Sequence, residues 1–125
     1  MARRTRSAQI AEHVLREAGA SFAFVHGSRV AGGARPDSDL DVAAWWALPA
    51  PASFEVSLPP DVDLLVLNTA PLELAGPVAV SGELLFETDP QERVRWQAMT
   101  RKIYFDERPR MDRAHREFLE AVRHG

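Results

Sequence analysis

Two aspartates separated by a single residue, Asp39 and Asp41, open an otherwise apolar run, "DLDVAAWW". Side chains alternate along a strand, so both carboxylates point to one face while Leu40 and Val42 point to the other. Their Cα atoms then lie about 6.5 Å apart, close enough to share a divalent cation. Without a cation between them the two charges only repel. Asp63 sits at the start of a second apolar run, "DVDLLVLN", where a carboxylate is costly unless it is paired, hydrated or metal-bound. If the two runs are neighbouring strands, three carboxylates converge on one patch. A set of oxygen ligands favours magnesium or manganese over zinc. Asp61, two residues earlier on the same strand face, is the rival of Asp63; Asp63 is preferred because it lies deeper in the strand.

Gly27 and Ser28 supply the other half of a site. They follow an aromatic and β-branched run, "SFAFVHG", that reads as a strand. Glycine lets the backbone turn sharply and approach a ligand closely, and Ser28 adds a hydroxyl and an amide donor, so the turn suits phosphate oxygens. A phosphate cradle facing carboxylate-bound metal ions is what nucleotidyl transfer requires. His26, at the strand end, reads as a hydrogen-bonded structural residue before it reads as a base. Alternation puts Trp45 on the aspartate face and Trp46 on the opposite one, and core packing or partner contact is the expected role of both. Tyr104 is expected to pack on a helix with its hydroxyl at the rim.

The elements that must position these residues follow from periodicity. Ile10, Val14, Leu15 and Ala18 recur at helical spacing before Gly19, which predicts a helix over Ser7 to Ala18. After the two strands already named, "ALPAPASFEVSLPP" is a proline-rich connection with at most a short strand at Phe54 to Val56. "PLELAGPVAVSG" holds one short helix, expected to break at Gly76 and Pro77. "ELLFE" is a further strand. Asp89, Pro90 and Glu92 make a helix start, with Val94, Met99 and Ile103 expected on the buried face. Pro109 is expected to interrupt that helix. Met111, Ala114, Phe118, Ala121 and Val122 continue a helical stripe beyond it. The result is an α+β domain: a small mixed sheet with helices mainly on one face, residues 1–108 forming the domain body and 109–125 its C-terminal helix.

The 125 residues are one domain's worth of chain, with a formal net charge of -3 that argues against direct nucleic-acid binding. There is no cysteine, which excludes thiolate chemistry and fits a reducing compartment, so the cytoplasm is the expected location. No apolar run is long enough to span a bilayer.

Gly27-Ser28, ten intervening residues and then Asp39-x-Asp41 resemble the signature of the polymerase-β-type nucleotidyltransferase superfamily. The fuller run "GSRVAGGARPDSDLDV" is most similar to the minimal nucleotidyltransferases, the MntA-like antitoxins paired with HEPN-family toxins. "VDLLVLN" resembles the next core strand of that family, which makes Asp63 the match for its third acid; another acid common in mid-strand is here Val66. "GELLFE" and the C-terminal segment extend the similarity over most of the chain. One position departs from the pattern. The family often has an arginine where this chain has Ala31, leaving Arg29 and Arg35 as the loop's cations. The resemblance implies a polymerase-β-like core and two magnesium ions, with manganese as a substitute, held by Asp39, Asp41 and Asp63. It implies ATP as substrate, with Gly27 and Ser28 on its phosphates. It further implies AMP transfer to a tyrosine of a helical HEPN-type ribonuclease toxin, silencing that toxin. Two other readings stay open: a non-catalytic antitoxin that acts by occupancy, and a small-molecule nucleotidyltransferase subunit of the aminoglycoside-modifying kind.

Overall fold

The structure, a computed structural model, describes residues 5–26 and 40–124. The strands β1 (Phe22–His26), β2 (Leu40–Trp45), β3 (Val62–Val66) and β4 (Glu83–Glu87) form one sheet in the order β3-β2-β1-β4. β1 runs antiparallel to β2 and to β4, while β2 and β3 are parallel, so the sheet is mixed. Three helices accompany it: α1 (Arg6–Glu17), α2 (Leu72–Ser81) and α3 (Pro90–His124). The architecture is α+β, as expected. Among the described residues no helix is long and apolar enough to cross a membrane.

Alternation along the strands divides the core into two layers. Ala23, Leu40, Val42, Ala44, Val62 and Val66 face α1, which presents Ala8, Ala11 and Leu15. Thr5 caps α1 by accepting the Ala8 N–H at 3.1 Å, and Gly19 ends it with φ +90°, a conformation that glycine adopts at no steric cost. Phe22, Phe24 and Ala43 face the other way, against Ala75 and Val78 of α2 and Trp96 of α3. Thus α2 and α3 share one face of the sheet and α1 covers the other.

Trp46 and Asn68 extend the β2–β3 pairing by side-chain mimicry. Asn68 Oδ1 accepts the Trp46 N–H at 3.0 Å, and Asn68 Nδ2 donates to the Trp46 carbonyl at 2.8 Å. The Trp46 indole, itself buried, donates to the Ala18 carbonyl at 3.0 Å. Asn68→Ala leaves two backbone groups of a buried residue without partners, so a loss of roughly 2 kcal/mol is expected. A lowered urea midpoint with unchanged slope is the readout.

Four expectations change. The segment around Phe54 is a 3-10 turn, Ser53–Glu55, because the flanking prolines favour a local turn, closed by the Glu55 N–H on the Ala52 carbonyl, over a ladder. α2 continues through Gly76 and Pro77. Glycine before proline carries no Cβ to meet the pyrrolidine ring, which removes part of the usual penalty for a helical residue there. α3 likewise continues through Pro109; the Phe105 carbonyl that loses its N–H partner belongs to an exposed residue, and water can take it. Position 109 therefore falls inside a helix that began at Pro90. Finally Val94, Met99 and Ile103 are exposed, at 51%, 59% and 45%. At 100° per residue these three do not share a face. The inward row is Arg93, Trp96, Gln97, Thr100 and Tyr104, all half-buried. Gln97 Nε2 and Arg101 Nε both donate to the Ala79 carbonyl of α2, at 3.0 and 2.6 Å.

Candidate active site

The parallel pairing of β2 with β3 puts Asp41 directly beside Asp63 in register. Strand alternation turns both toward the face of Ala43, Trp45 and Leu65, away from α1. On the other side of Asp41, the antiparallel pairing with β1 places His26 in register with it. One row across the sheet thus reads His26, Asp41, Asp63, at the end of the strands from which the chain enters residues 27–39. Asp41 is half-buried and Asp63 exposed. Burial lowers the His26 pKa below its ordinary value, and the charge of Asp41 partly opposes that shift. Burial thus favours the neutral imidazole beside Asp41.

Neighbouring strands lie about 4.8 Å apart, so two carboxylates in register carry like charge at close range. Among the described residues no lysine or arginine forms an ion pair with either. Two like-charged oxygen ligands on one face suit a hard divalent cation. The described residues alone bring together no group of three or more possible metal ligands. Asp39, which would complete the set with Asp41 and Asp63, lies outside the described residues. So do Gly27 and Ser28, together with Arg29, Ala31 and Arg35.

The rival acid is placed differently. Asp61 precedes β3, and its carboxylate accepts a hydrogen bond from the Ser7 hydroxyl of α1, on the opposite side of the sheet. Val66, which stands in place of an acid common in the resembled pattern, is buried in the layer that packs on α1. Asp63 is the acid of β3 on the Asp41 face.

The tryptophans pack as expected. Trp45 stacks on Phe22, with centroids 6.3 Å apart, and its indole donates to Glu92 Oε1 at 2.7 Å. It is four residues from Asp41, about 13 Å along the strand. It lines a cleft of about 340 Å³ with Arg95, Trp96 and Met99, well away from the aspartates. The Tyr104 ring occupies the space that a Cβ at Gly76 of α2 would take. What sequence reasoning passed over was His26 as a member of the acidic row; counting two residues per pair back from Asp41 through the hairpin cannot locate it, because the connection is long.

A family model described as polymerase beta, nucleotidyltransferase, matches residues 8–91, more than half of the chain. No curated protein matches the sequence. Among solved structures, a chain from a toxin–antitoxin crystal structure with AMP-PNP is 22% identical, with a TM-score of 0.67 over 92% of this chain and 97% of that one. A chain of the MntA–HepT toxin–antitoxin is 18% identical, with a TM-score of 0.61 over 93% and 96%. A third, from a tri-AMPylated Shewanella oneidensis HEPN toxin in complex with its MNT antitoxin, is 17% identical, with a TM-score of 0.55 over 87% and 96%. At these identities the likeness is one of fold.

Proposed function

This chain belongs to the polymerase β nucleotidyltransferase family, and on that premise we propose that it transfers AMP from ATP to a tyrosine hydroxyl of a HEPN-type ribonuclease toxin and so acts as that toxin's antitoxin. The observation that carries the reading is the register that sets Asp41 beside Asp63 on the face away from α1. The similar folds come from toxin–antitoxin structures, one with AMP-PNP and one with a tri-AMPylated HEPN toxin, which supports both the adenylyl group and the kind of acceptor.

In this reading Asp39, Asp41 and Asp63 hold two magnesium ions, for which manganese can substitute. Bound there, the metal supplies charge neutralisation for the triphosphate and a lowered pKa for the acceptor hydroxyl. Gly27 and Ser28 hold the terminal phosphates through backbone and hydroxyl donors. The tyrosine oxygen bonds to the α-phosphorus in line with the departing pyrophosphate, its proton passes to water, and the bond from the α-phosphorus to the bridging oxygen breaks. The protein's share of the rate is positioning: a rigid pair of strands sets two of the carboxylates before substrate arrives, so little reorganisation is left for the reaction itself.

The intact mass of a HEPN-type toxin co-expressed with this chain tests the proposal. A gain of one or more adenylyl units is expected with the wild type and not with Asp39→Ala/Asp41→Ala. In vitro the gain is expected to vanish in EDTA and return with magnesium or manganese. An unchanged mass in a partner that is nonetheless bound and silenced would replace the enzyme with an antitoxin that works by occupancy.

A further inference from the structure

The inward face of α3 does not stop where the domain does. Its first half packs through Trp96, Gln97 and Tyr104. From Arg108 to His124 every residue is exposed except half-buried Met111. Stepping on from Tyr104 at 100° per residue, the same face carries Met111, Phe118 and Val122, flanked by Leu119. Phe118 and Val122 are each 64% exposed. The opposite side of this segment is charged throughout, with Arg113, Glu117 and Glu120 among its residues. Among the described residues, the half of the helix that is exposed thus has the more apolar inward stripe, and the half that is packed has the more polar one. That is the reverse of what a solvent-facing helix end needs.

Size decides between occupants. The projecting segment is about 25 Å long and a helix about 10 Å wide, so one flat face offers on the order of 250 Å². A stable interface takes about 800 Å² from each partner. Two copies paired tail to tail fall well short. A groove between helices that takes the segment on three sides covers up to about three times as much of it, close to that requirement, and anchors spaced i, i+7, i+11 are the pattern such grooves read. We infer that the C-terminal half of α3 is the docking element for the toxin, inserting Met111, Phe118 and Val122 into a groove between its helices while the charged side stays in water. This rests on the function proposed above and assigns its partner a surface apart from the aspartate row.

The test compares Phe118→Asp/Val122→Asp with Arg113→Glu/Glu117→Lys on the charged side, both as full-length chains titrated into the HEPN partner by calorimetry. Thermal unfolding, sedimentation and partner mass are measured alongside. The stripe variant is expected to bind about 30-fold more weakly, the factor typical of losing a hot-spot anchor, with an unchanged Tm. The charged-side variant is expected to stay within twofold of wild type. Undiminished binding by the stripe variant, equal loss in both variants, or a wild-type dimer that the stripe variant alone dissociates would each overturn the inference. Docking through the stripe without any adenylyl gain in the partner would leave the inference standing and remove the catalytic reading instead.

Discussion

Asp41→Asn and Asp63→Asn are each expected to lower AMP transfer by about 10²–10³-fold, the usual cost of removing one preorganised electrostatic group from a reacting centre. The substitution keeps the shape of the side chain and removes its charge. Because the shape is kept, any fall reports on the lost charge and not on packing, to which exposed Asp63 contributes little and half-buried Asp41 only in part. Without metal, the two carboxylates stand in register on adjacent strands and repel each other. Both variants should consequently unfold at a slightly higher temperature than the metal-free wild type. A protein that gains stability as it loses activity is the signature of a strained functional site. Asp61→Asn is the control. Its carboxylate is engaged by Ser7 of α1, so transfer is expected to stay within about twofold, a change worth less than 0.5 kcal/mol in the barrier. If Asp61→Asn abolished transfer and Asp63→Asn left it intact, the third acid would have been assigned to the wrong side of the sheet.

The second large effect concerns stability. A Cβ at Gly76 would lie 2.1 Å from Tyr104 Cδ1 and 2.4 Å from its Cγ. The clash involves the root of the ring and not a movable tip, so the whole side chain, or α3 itself, must shift. Gly76→Ala is therefore expected to destabilise by about 1–3 kcal/mol despite alanine's better helix propensity. In thermal unfolding that is a drop of roughly 5–15 °C for a domain of this size. Tyr104→Ala in the same chain should recover much of the loss, since it opens the space that the new methyl needs. The double-mutant cycle then gives a coupling energy of opposite sign to the single losses. Full additivity would show that Tyr104 does not lie on Gly76. Because α3 is held to α2 at this contact and by the two bonds to the Ala79 carbonyl, loosening it should also weaken partner docking.

Local signals in the chain were enough for the elements and for the chemistry of the row. Gly19 ends α1, Asp89 caps the start of α3 by accepting the Glu92 N–H, and each of the four strands falls on its apolar run. These are interactions within a few residues, and residue type alone settles them. Alternation likewise assigned Asp41 and Asp63 to faces without any knowledge of neighbours, and the structure puts the two on one face. Three things were not legible. Gly76 and Pro77 read as helix breakers because their advantage, the seat of the Tyr104 ring, comes from a residue in another helix. The buried side of α3 was misread because Val94, Met99 and Ile103 are apolar, whereas the side that packs is the one whose polar groups find the Ala79 carbonyl. Asp61 was read on the same face as Asp63, whereas the hydrogen bond from Ser7 takes it toward α1. Sequence by itself determined which residues could do chemistry and in which elements they sit, since those preferences are short-range. Tertiary structure alone decided which of them meet, because a strand's neighbour and a helix's inward face are set by packing between segments far apart in the chain.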